Sequence, residues 1–94
     1  MNEQHMWTYK EASKYLNEIH PILTKYGWFG TIVGSVVEQG YSDHDLDIDV
    51  EPIPNRRHQL IELAKALKAE LWLDDPKTME VIINDKIVDF TIEE

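Results

Sequence analysis

Apolar residues recur along this chain at two different periods. Ala12, Tyr15, Leu16, Ile19, Leu23 and Tyr26 fall at helical spacing behind Thr8-Tyr9-Lys10-Glu11, a capping-box pattern that opens a helix. Pro21 is expected to kink or restart that helix and Gly27 to end it. Trp28–Val33 is β-rich and apolar and predicts a buried strand. Gly34 to Gly40 leaves room for about a turn of helix. Leu46, Ile48 and Val50 then alternate with Asp45, Asp47 and Asp49, a strand with one apolar and one acidic face.

Pro52 and Pro54 end that strand. Asn55 is expected to cap a helix reaching about residue 71, with Leu60, Ile61, Leu63, Ala64, Leu67 and Leu71 on its buried side. Asp74-Asp75-Pro76 makes a turn. Two strands follow, Thr78–Ile83 and Lys86–Ile92, joined by Asn84-Asp85 as a tight hairpin turn. The order predicts an α/β (α+β) fold, with one small mixed sheet flanked by helices. Trp28, Phe29 and Trp72 are expected in the core.

A length of 94 residues predicts one domain over 1–94. No apolar run approaches the roughly 18 to 20 residues that span a bilayer, and the polar N-terminus has no signal-peptide core. With no cysteine in the chain there is neither a disulfide framework nor a thiolate zinc site, and the expected location is cytoplasmic. The net charge of −9 disfavours direct binding to a nucleic-acid backbone. It suits a basic protein partner, or an anionic substrate screened by a divalent cation.

Chemistry concentrates in Gly34-Ser35, nine residues, then Asp45-Leu46-Asp47. Carboxylates at i and i+2 of a strand share a face, roughly 7 Å apart. Their mutual repulsion is relieved by a cation, and Mg²⁺ takes one or two carboxylates together with substrate phosphates. Asp89, on an alternating strand with Val88, Phe90 and Ile92 on its other side, is the candidate third ligand or general base. Gly34 lets a phosphate approach the backbone, and Ser35 can bond its oxygens. A calcium loop is excluded, because Ile48 and Pro54 stand where that loop needs Gly and Glu. Asp43, His44 and Asp49 add little. His5, His20 and His58 are expected to be structural. Arg56 and Arg57 could reach phosphates, but solvated surface is the expectation for them.

Val33, Gly34, Ser35, Asp45, Leu46, Asp47 and Ile48 together resemble the signature of the DNA polymerase β-like nucleotidyltransferase superfamily. The likeness is closest to the minimal nucleotidyltransferases, which are often encoded beside a HEPN partner. It implies a polymerase β-like core that transfers a nucleoside monophosphate from an NTP such as ATP to a hydroxyl. Mg²⁺, or Mn²⁺ in its place, would be held by Asp45, Asp47 and Asp89. By the same analogy the acceptor would be a protein side chain of the partner. The sequence departs from the family after Ser35, where Val36, Val37, Glu38 and Gln39 stand in place of a basic residue. No helical accessory domain follows Asp89, so a protein partner or a homo-oligomer is expected to complete the site. The competing expectation is a small acidic binding protein that keeps the fold without catalysis and occludes a basic surface.

Overall fold

The computed structural model describes residues 5–94. Its elements are β1 (Trp7–Thr8), α1 (Tyr9–Lys25), β2 (Trp28–Val33), α2 (Ser35–Gln39), β3 (Tyr41–Ser42), β4 (Asp45–Pro52), α3 (Leu60–Leu67), β5 (Glu70–Trp72), β6 (Thr78–Ile83) and β7 (Lys86–Ile92). Five strands form one mixed sheet in the order β2-β4-β7-β6-β5. Within it β4 and β7 are parallel and the other neighbours antiparallel. The short β1 and β3 pair separately.

The period-2 pattern decides which face of the sheet is covered. Trp28, Leu46, Ile48, Val50, Met79, Val81, Val88, Phe90 and Ile92 are buried together with Ala12, Ile19 and Leu23 of α1 and Leu63, Ala64 and Leu67 of α3. Both longer helices therefore pack on one face, in two layers. The other face carries the alternate positions, among them every acid of β4.

Local rules explain the element ends. The Thr8 hydroxyl accepts the Glu11 N–H, and the Glu11 carboxylate accepts the Thr8 N–H, closing the capping box. Glu11 also pairs with Lys86 at 2.8 Å, and the Trp7 indole N–H donates to the Ile87 carbonyl at 3.0 Å. These contacts tie the start of α1 to the start of β7, the strand that carries Asp89. At the hairpin, Asn84 and Asp85 both take positive φ (50° and 64°), as a two-residue type I′ turn requires.

Four expectations need correction. Pro21 does not restart α1, which runs through it; the proline is exposed, and the Asn17 carbonyl it leaves unbonded lies at an exposed position too. The helix expected from Asn55 begins only at Leu60, with Gln59 as N-cap, because Asn55 itself takes φ 63° in a turn. It stops at Lys68, in the left-handed conformation, and Leu71 belongs instead to β5, opposite Met79. Trp28–Val33 is not buried on both sides but forms a sheet edge, with Phe29 47% exposed; Trp72, on the edge strand β5, is also exposed, and so is Ile61. Among the described residues no helix is long and apolar enough to cross a membrane.

Candidate active site

Strand β4 presents Asp45, Asp47 and Asp49 on the open face, each half-buried and alternating with the buried Leu46, Ile48 and Val50. The parallel register with β7 places Asp89 directly beside Asp47, about 4.8 Å away strand to strand. Asp45 lies close enough to Asp89 to shift its titration. The three acids singled out from the sequence are therefore brought together by two adjacent strands.

The row continues further than the sequence suggested. Glu80 stands opposite Asp89 on β6, and Glu70 opposite Glu80 on β5, so Asp47, Asp89, Glu80 and Glu70 cross four strands in register. Glu80 was legible in principle. The two-residue turn pairs Ile83 with Lys86, and counting three residues back on each side sets Glu80 against Asp89.

Like charges this close change one another's protonation. Partial burial pushes the Asp89 carboxyl up to about 7, helped by its hydrogen bond to Asp45 and by the charges of Asp45, Glu80 and Asp47. Burial, with Asp45 and Asp49 nearby, raises Asp47 as well. No cation enters either balance. Asp89 therefore keeps its proton to a higher pH than an ordinary carboxyl, which eases the like-charge repulsion in the row.

Gly34 fits against this row. It links β2 to α2 with φ 76°, and a Cβ there would lie 2.7 Å from Asp47 Oδ2, inside contact distance. The backbone bend and the close approach both require glycine. The Gly34 carbonyl accepts the N–H groups of Val37 and Glu38, which closes the short α2. Ser35 follows as an exposed residue whose hydroxyl makes no hydrogen bond among the described residues.

Other candidates lie apart. Arg57 and His58 line a cavity of about 480 Å³ with Trp28, Pro52 and Lys77. That cavity is at the far end of β4 from Asp45 and Asp47, so Arg57 does not reach the acid row. Arg56 is exposed. His5 bonds to Asp43 and stacks on Tyr41, His20 meets Phe29 edge-on, and His58 bonds the Ile53 carbonyl at 2.7 Å, all packing roles. His44 is exposed, its backbone N–H donating to the Ser42 hydroxyl.

Asp45, Asp47 and Asp89 supply only oxygen donors, the class a hard cation prefers. Among the described residues, however, no three His, Asp or Glu side chains are posed as a ready metal cage. A cation bound here would compete with the Asp89 proton. No known protein family, curated protein or solved structure matches the chain.

Proposed function

We propose that the protein is a divalent-cation-dependent nucleotidyltransferase with a polymerase β-like core, acting on an NTP and a hydroxyl acceptor, the side chain of a partner protein. The reading rests above all on one observation: Gly34 backs onto Asp47 while Asp47 and Asp89 stand in register and Asp45 shares the β4 face with Asp47. A phosphate-approach turn and a carboxylate trio thus share one end of the open face.

Asp45, Asp47 and Asp89 would hold Mg²⁺, or Mn²⁺ in its place. The bound cation would polarise the α-phosphate and offset the charge of the triphosphate. The Gly34 backbone and the free Ser35 hydroxyl would bond phosphate oxygens and align the α-phosphorus for in-line attack. The acceptor oxygen forms its bond to phosphorus as the bond to pyrophosphate breaks. Asp89, once ionised, takes the proton of the acceptor hydroxyl.

A second reading is favoured by the raised Asp89 carboxyl, since a protonated acid is a poor cation ligand. On that reading the chain is an acidic binding protein, and its net charge of −9 occludes a basic partner surface.

Incubation with labelled ATP, CTP, GTP or UTP and Mg²⁺, with and without the protein encoded beside it, separates the two. Label transfer that disappears in Asp47→Asn supports the enzyme. Absence of transfer together with absence of Mg²⁺-dependent nucleotide binding supports the binding protein.

A further inference from the structure

Among the described residues strand β2 is the outer strand of the sheet, paired only with β4. Its six residues, Trp28-Phe29-Gly30-Thr31-Ile32-Val33, contain no charge and no proline. The backbone of Trp28–Val33 makes no hydrogen bond outside the sheet among the described residues. Every second residue therefore presents an unpaired N–H and C=O along the free edge. Proteins commonly blunt such an edge with lysine, proline or a bulge, and this one carries none of these.

A groove of about 280 Å³ runs along that edge. Phe29 to Ile32 form one wall consecutively. Tyr9, Ser13, Leu16 and Asn17 of α1 and Val37 of α2 complete it. None of its nine lining residues is charged, in a chain that is 29% charged with a net charge of −9. Tyr9, Phe29 and Val37 are each about half exposed, at 53%, 47% and 54%.

We infer that the β2 edge is where two copies of this chain join, by antiparallel β2–β2 pairing that continues the sheet across a twofold axis. Charge selects the occupant. Two chains of −9 repel over most of their surfaces, and this uncharged strip is where a second copy approaches without like charges meeting. Antiparallel self-pairing is also complementary to itself, as a twofold interface must be. A register centred on Gly30 or Thr31 keeps acidic face beside acidic face and helical layer beside helical layer, because cross-strand partners point the same way. The acid rows of both copies then lie on one continuous face, and neither is covered.

Sedimentation equilibrium of the full chain from about 10 to 200 µM, the range in which modest interfaces associate, tests the inference. The expected result is a concentration-dependent species of twice the chain mass. Phe29→Lys, which charges the edge, and Val37→Glu, which charges the rim, should each weaken association about tenfold or more, with unchanged circular dichroism. Slowed hydrogen exchange of β2 amides at high concentration gives a readout that needs no variant. A monomer throughout the range overturns the inference. So does a dimer that survives both substitutions, or one that leaves β2 exchange unaltered. None of these outcomes depends on whether the chain transfers nucleotides.

Discussion

Gly34 and Asp47 touch in a way that only glycine permits, since a Cβ at position 34 would sit 2.7 Å from Asp47 Oδ2. The chain leaves β2 at a φ of 76° and passes against the carboxylate that stands in register with Asp89. Gly34→Ala therefore meets two penalties, a left-handed backbone for a residue with a Cβ and a clash with Asp47. It should lower stability by about 1 to 3 kcal/mol in urea unfolding and weaken divalent-cation binding. Unchanged cation affinity would mean that the carboxylate position does not depend on this contact.

Asp89 sets a pH dependence of stability. Its carboxyl titrates at about 7 in the folded chain against 3.8 for the ordinary group. Between those values the folded state holds a proton that the unfolded state has lost, so stability falls as pH rises from about 4 to about 7 and is flat above. The side chain is partly solvated, and after screening the loss should be about 1 to 2 kcal/mol. Asp89→Asn should remove most of the slope in metal-free buffer, and millimolar Mg²⁺ should offset it in the native chain. Denaturant midpoints across this range give the answer.

Glu80 and Asp89 are like charges directly opposite on antiparallel strands, an arrangement that destabilises a sheet. Glu80→Gln should bring the Asp89 titration down toward the ordinary range and raise stability above neutral pH by a few tenths of a kcal/mol. Carboxyl ¹³C titration by NMR follows the first effect and thermal unfolding the second.

Pro21 offers a test of the helix. It interrupts the hydrogen bonding of a helix that nonetheless runs from Tyr9 to Lys25. Pro21→Ala restores the bond to the Asn17 carbonyl and gains helix propensity, while the unfolded chain gains freedom worth less than that. The net should be stabilisation of about 1 to 2 kcal/mol; a loss would mean that the proline makes packing contacts of greater value.

How much of this was legible in the sequence depended on how local the signal was. Thr78–Ile83 and Lys86–Ile92 could be read residue by residue because a two-residue turn fixes the register between alternating strands. The acidic face of β4 followed from period alone. β5 was hidden inside a helical stripe: Leu67 and Leu71 keep helical spacing, and the break between them is made by Lys68 at φ 57°, a conformation its residue type does not announce. Phe29 and Trp72 are aromatic and read as core, yet tertiary arrangement leaves both exposed on outer strands. The Gly34-Ser35 and Asp-x-Asp pattern pointed to one site, but the approach of Gly34 to Asp47 and the register of Asp47 with Asp89 arise only when strands distant in sequence are laid side by side.

The claim that Asp45, Asp47 and Asp89 form a divalent-cation site is tested most directly by Mn²⁺ titration followed through amide relaxation in NMR. Broadening centred on Gly34, Asp45 to Asp47 and Ile87 to Asp89, reversed by excess Mg²⁺ and lost in Asp47→Asn, is the predicted result. Broadening centred elsewhere, such as Asp74 and Asp75, or none at millimolar Mn²⁺, would contradict it.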